Sequence, residues 1–233
     1  MGIPVTTPPT PKLVRNPRQL LHQAIANSVT HGAGFLLSVA ALALMVTAAA
    51  RQGSSLAVVC AAVFGSSLVL LYAASTLLHA MPTGPVKRFF EHLDLSAIFV
   101  LIAGTYTPFT LLVLRGSLGW TLFGVVWGLA MAGITLAAVF PAHFEKVASY
   151  IYLAMGWIVV GAIYPLAHDL GGPGVSLLVA GGLFYSVGVI FFLWDRWLHH
   201  HAIWHVFVML GSLCHFLAVL FYVLPEIKRF AGR

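Results

Sequence analysis

The feature that most constrains this chain is a succession of apolar runs, each about 20 residues long, separated by short polar or Gly/Pro-rich punctuation. A run of that length crosses the roughly 30 Å hydrocarbon core of a bilayer as an α-helix, with its backbone N–H and C=O groups paired inside the segment. The runs read as residues 24–50, 55–80, 92–114, 118–140, 147–166, 175–194 and 202–224. The expected fold is therefore an all-α integral membrane protein, a seven-transmembrane helical bundle. None of the breaks between the runs is long enough to be a domain. The organisation is expected to be a disordered, proline-rich tail over 1–22, with TTPPTPK from Thr6 to Lys12, a transmembrane domain over 23–225 and a short C-terminal tail over 226–233.

Composition excludes a water-soluble fold, because 60% of the 233 residues are hydrophobic and 8% are charged. The first 20 residues hold no early apolar run of the secretory-signal kind, so the first span is expected to be uncleaved. A net charge of +6 could suggest nucleic acid, but the Lys and Arg residues are scattered at segment ends and not clustered with aromatics. No nucleic-acid partner is expected. Cys60 and Cys214 both fall inside apolar runs, where a small buried thiol is the ordinary reading and a disulfide framework is not. Trp120, Trp157 and Trp194 read as interfacial belt residues, and His143, His168, Asp195 and Glu145 as ordinary interfacial groups.

The positive charges suggest an orientation, since cytoplasmic loops retain Lys and Arg. Seven (Lys12, Arg15, Arg18, Lys87, Arg88, Lys146 and Arg196) fall on the N-terminal side, against five (Arg51, Arg115, Lys228, Arg229 and Arg233) on the other. The N-terminus is expected inside and the C-terminus outside.

Ionisable groups at membrane depth cost about 2.5–3.5 kcal/mol each on insertion scales, so each needs a reason. Ser75 and His79 close the second run in STLLH, Asp94 opens the third in EHLDLSAIF, and His201 and His205 open the seventh in HAIWH. Even-numbered helices end, and odd-numbered ones begin, on the side of the N-terminus, so these groups share one leaflet. Residues four apart are offset by about 40° around a helix and about 6 Å along it, so Ser75 with His79, and His201 with His205, each present one face. Ser212 and His215 extend the His201 stripe, which must face the bundle interior.

Three neutral imidazoles with an open fourth position describe a catalytic zinc site, which lowers the pKa of a water toward 7. Asp94 would orient or deprotonate that water, and Ser75 would hydrogen-bond the water or a substrate carbonyl. The same spacing also fits histidines that only pack, or that are hydrated near an interface. His199 and His200 read as loop residues. Asn27 and His31, four apart at the start of the first run, could line the same cavity, although helix-start capping accounts for Asn27 equally well.

With ANSVTHG at residues 26–32, the Ser75–His79 pair, the His92-x-Asp94 stretch running to AGTYTPF, and HAIWHVFVMLGSLCHF from His201, the chain resembles bacterial members of the hemolysin III family. That family is related to the progestin and adipoQ receptors and, more distantly, to alkaline ceramidases. The resemblance covers nearly the whole membrane region. It implies that His79, His201 and His205 are zinc ligands near the cytoplasmic side, that Asp94 holds the water and that Ser75 lies beside it. It also implies a bacterial plasma (inner) membrane location. One departure is that acidic residues expected just before ANSVTHG appear here as Gln23 and Ala24.

The expected function is a zinc-dependent membrane hydrolase acting on a lipid amide or ester. The alternatives are a membrane-state sensor or lipid receptor with a structural zinc, and a pore-forming hemolysin. The expected partner is a membrane lipid, as substrate or ligand; the sequence leaves any protein partner open.

Overall fold

A computed structural model describes residues 16–194 and 196–231, and among them the secondary structure is entirely helical. Side chains of Pro141, Ala142, His143, Glu145, Lys146, Phe230 and Ala231 are outside that description. So are the tail at 1–15 and Asp195, which includes several of the groups on which orientation and interfacial roles were read.

Helix α1 spans Pro17–Arg51 and starts earlier than the expected tail boundary at 22. The reason is local chemistry. Asn16 accepts from the Gln19 N–H at 2.9 Å while the Gln19 side chain accepts from the Asn16 N–H at 3.0 Å, a reciprocal cap, and Pro17 occupies a first-turn position that needs no donor. Asn27 consequently lies ten residues inside α1 and caps nothing. Residues recurring three or four apart (Gln23, Asn27, His31, Gly34 and Ser38) form the buried stripe of this helix.

Helix α2 (Ser55–Ala80) is capped by Ser54, whose hydroxyl accepts from the Ala57 N–H. Helix α3 (Pro85–Pro108) continues as a wide turn over Phe109–Leu114, and α4 spans Gly116–Val139. Helix α5 (Pro141–Trp157) tightens over Ile158–Ala162 before α6 (Ile163–Leu193). Helix α7 (His200–Ala218) widens over Val219–Val223, and α8 (Ile227–Ala231) is a short terminal turn.

Six stretches among the described residues are long and apolar enough to cross a membrane: Pro17–Arg51, Ser55–Ala80, Pro85–Leu114, Gly116–Val139, Val147–Leu193 and His200–Val223. The sequence expectation was seven, and the difference lies in Val147–Leu193. At 47 residues it would be about 70 Å long if straight, more than twice the thickness of the hydrocarbon core. It is not straight. Gly171 adopts φ 70°, ψ 173°, a conformation open to glycine but not to a helix interior. Trp157 Nε1 donates to Ser186 Oγ at 3.0 Å, whereas residues 29 apart on a straight helix would be about 44 Å apart. The chain therefore folds back on itself near Gly171. Trp157, expected at a membrane interface, is engaged inside that hairpin, while Trp120 and Trp194 are about half exposed.

Neighbouring helices approach closely through small residues. A Cβ on Gly65 of α2 would lie 2.9 Å from Leu42 Cα of α1, and one on Gly188 of α6 would meet Trp204 and Phe207 of α7 at under 3 Å. Such contacts let apolar helices pack where lipid supplies no hydrophobic driving force between them. Helix α7 packs against both α6 and α1. This brings the start of α7 beside the end of α2 and the first half of α1.

Candidate metal centre

The histidines singled out at the end of α2 and the start of α7 meet at one point. One imidazole nitrogen from each of His79, His201 and His205 lies within 4.8 Å of the other two. His79 comes from the last turn of α2, and the other two come from successive turns of α7. Ring centroids are 4.9 Å apart for His79–His201, 5.1 Å for His79–His205 and 4.6 Å for His201–His205. A tetrahedral metal bonded to nitrogen at about 2.0–2.1 Å holds its ligands about 3.4 Å apart, a separation that small side-chain rotations would reach from here. His79 Nε2 is buried without a hydrogen-bond partner among the described residues, as a nitrogen meant for a metal would be. The three histidines could hold a metal ion.

Helix α1 completes the surroundings. Thr30 Oγ1 lies 3.0 Å from His205 Nδ1, and Asn27 Nδ2 lies 3.4 Å from His79 Nδ1. The His31 ring stacks on that of His205 with centroids 3.4 Å apart, and both His31 nitrogens are buried without hydrogen-bond partners among the described residues. Gln23, which stands where the resemblance suggested an acidic residue, is buried and donates to the Leu198 carbonyl, tying α1 to the segment that leads into α7.

Asp94 and Ser75, singled out from sequence, line one cavity together with His31, His201 and His205. The Asp94 carboxyl lies beside the Ser75 hydroxyl, although Ser75 Oγ has no partner in hydrogen-bonding geometry among the described residues. Tyr152 of α5 donates to the Leu95 carbonyl at 2.8 Å, fixing α3 next to α5 one residue beyond Asp94. Tyr106 accepts from the Val159 N–H at 2.8 Å and donates to the Gly156 carbonyl at 2.8 Å, so it bridges the point where α5 changes pitch. Sequence reading assigned no role to either tyrosine, although Tyr106 lies in the AGTYTPF stretch, because the helices they join are far apart along the chain.

The cavity has a volume of about 210 Å³ and is otherwise predominantly apolar. It extends along α3 from Asp94 to Phe109 and along α7 from His201 to His215. Both paths correspond to about 21–23 Å of helix axis, more than the roughly 15 Å depth of one leaflet's hydrocarbon. None of the described α4 residues lines it. At the far end His215 is buried, with Nε2 3.3 Å from the Leu178 carbonyl. Ser212, one turn before it, accepts from Tyr72 at 2.8 Å and lies 2.9 Å from Tyr185 OH, which confirms the inward polar stripe on α7. His199 precedes α7, and His200 Nδ1 turns to the Phe191 carbonyl at 3.1 Å, outside the three-histidine group. His168 is exposed and pairs with Asp169.

Comparison with known proteins gives consistent relatives. The family described as "Haemolysin-III related" matches residues 19–216. "Hemolysin-3" of Bacillus cereus is 50% identical over 207 residues, covering 89% of this chain and 94% of its own. The "Hemolysin-3 homolog" of Bacillus subtilis (strain 168) is 48% identical over 202 residues, covering 87% and 95%. The human "Monocyte to macrophage differentiation factor" is 28% identical over 163 residues, 67% of each chain.

Proposed function

For a chain that belongs to the haemolysin-III-related family of membrane proteins, we propose a zinc-dependent hydrolase that cleaves an amide or ester bond in a membrane lipid. The observation that carries this reading is one predominantly apolar cavity lined at one end by Asp94, Ser75 and two of the three clustered histidines, His201 and His205, with His79 beside them. A structural metal clamp does not require such a cavity.

Zinc, when held by His79, His201 and His205, supplies Lewis-acid polarisation of a carbonyl and acidification of water. The chain's own residues supply the rest. The apolar walls receive an acyl chain and set its carbonyl at the polar end. Asp94 accepts a proton from the attacking water at a carboxylate oxygen and returns it to the leaving group. Ser75, which lines the same cavity beside Asp94, donates a hydrogen bond to the substrate carbonyl. Burial of the site keeps bulk water from competing for these groups.

The proposal includes seven membrane crossings, with residues 147–170 and 172–193 as separate spans, supported by the Trp157–Ser186 contact across the Gly171 break. Its orientation places the N-terminus and the metal centre on the cytoplasmic side of a bacterial plasma membrane, on the strength of Lys87 and Arg88 in the first turn of α3, next to the short link from α2. In intact cells, an impermeant thiol reagent is expected to label Ser117→Cys and to spare Thr83→Cys; both positions are exposed. Labelling of Thr83→Cys with protection of Ser117→Cys would invert the protein.

The catalytic reading is tested by presenting purified protein in bilayers with a panel of acyl amides and acyl esters. Release of free fatty acid that a chelator stops is expected. No metal-dependent release from any member would leave zinc as a clamp in a lipid sensor.

A further inference from the structure

The metal reading leaves one group of contacts without a role, the pair of polar side chains that α1 extends to the outer edges of two imidazoles. An imidazole can give a lone pair to a metal through one nitrogen while the other carries its hydrogen, and that hydrogen must find an acceptor when buried. The hydrogen's partner therefore decides which nitrogen is free for the metal.

Thr30 is arranged as such an acceptor. Its hydroxyl hydrogen has two carbonyls of its own helix within reach, Ala26 at 2.9 Å and Asn27 at 3.0 Å. With the hydrogen engaged there, the oxygen offers lone pairs to His205 Nδ1, 3.0 Å away. His205 then carries its hydrogen on Nδ1 and keeps the Nε2 lone pair. Asn27 faces His79 Nδ1 in the same way, with Nδ2 at 3.4 Å. If the amide nitrogen donated to Nδ1, the hydrogen of His79 would sit on Nε2, the buried and unpartnered nitrogen. Turning the amide by 180° exchanges two nearly isosteric groups, sets Oδ1 against Nδ1–H and frees Nε2.

We propose that Asn27 and Thr30 are positioning residues that select the metal-binding tautomers of His79 and His205, with the Asn27 carbonyl oxygen turned to the ring when metal is held. The placement follows from helix geometry: residues three apart on α1 share a face, and that face meets the end of α2 and the start of α7. The two contacts from α1 fall on His205 and His79, so the control concerns these two imidazoles. This inference rests on the metal reading and needs no turnover.

The experiment is a zinc dissociation constant, measured by competition with a chromogenic chelator on the purified full chain in lipid nanodiscs. Loss of an outer hydrogen-bond partner of a metal-bound histidine weakens metal binding by about 10- to 100-fold. Asn27→Ala and Thr30→Val are expected to fall in that range. Asn27→Asp, which can only accept, and Thr30→Ser, which keeps the hydroxyl, are expected to stay within about threefold of the wild type by the same reasoning. The conservative pair also keeps the test valid where the harsher variants fail to fold. Wild-type affinity in Asn27→Ala and Thr30→Val would overturn the proposal, and so would a loss in Asn27→Asp as large as that in Asn27→Ala. A wild-type chain that binds no zinc would remove the metal reading along with it, whereas tight wild-type binding without lipid hydrolysis would remove only the catalytic reading.

Discussion

Asp94→Asn is expected to lower lipid hydrolysis by about 10²- to 10⁴-fold while zinc remains bound at the wild-type level. The expectation follows from what the substitution removes. Three imidazoles can hold zinc without Asp94, and the amide is close to the carboxylate in size, so both fold and metal should survive. What disappears is the ability to accept a proton, the role the geometry offers Asp94 at the polar end of the cavity beside Ser75. Fatty-acid release and zinc content measured on the same preparation separate the two effects. Full activity in Asp94→Asn would remove the general-base assignment. Loss of zinc together with activity would make Asp94 part of the metal's support instead.

The second large effect concerns the histidines. His79→Ala, His201→Ala and His205→Ala should each reduce zinc from about one per chain to near zero, because two imidazoles do not make a tetrahedral protein site. Thermal stability should fall as well, since His79 ends α2 while His201 and His205 begin α7, and a metal held between them joins two helices distant in sequence. His205→Ala should be the most damaging, because His205 is 1% exposed and its ring stacks on His31. His200→Ala and His215→Ala serve as controls that should retain the metal, as neither belongs to the three-histidine group. Elemental analysis of purified protein decides the matter, and unchanged zinc in all three ligand variants would end the metal reading.

The membrane-spanning helices were legible because hydrocarbon thickness fixes both their length and their composition. The polar cluster was legible because buried ionisable groups are rare in such helices, and a 3.6-residue period shows which of them share a face. Where the reading failed, other forces decided. The start of α1 is set by the Asn16–Gln19 cap and Pro17, a short-range signal hidden in a segment that composition marks as tail. Asn27 reads as a cap only if the helix begins next to it; with the helix starting at Pro17 it becomes a partner of His79. A break near Gly171 follows from the separation of the runs at 147–166 and 175–194, but the contact across it, Trp157 to Ser186, joins residues whose pairing no local pattern announces. The same holds for Tyr152 and Tyr106, whose hydroxyls reach backbone atoms about 50 residues away.

Hydrolysis of a membrane lipid by the histidine centre and Asp94 is tested most directly by a metal add-back on one preparation in bilayers. Protein stripped by a chelator should release no fatty acid from an acyl amide or ester that the untreated protein cleaves. Adding zinc back should restore release to the wild-type chain and leave Asp94→Asn inactive. Release that persists in the stripped protein, or that returns equally in Asp94→Asn, would contradict the account.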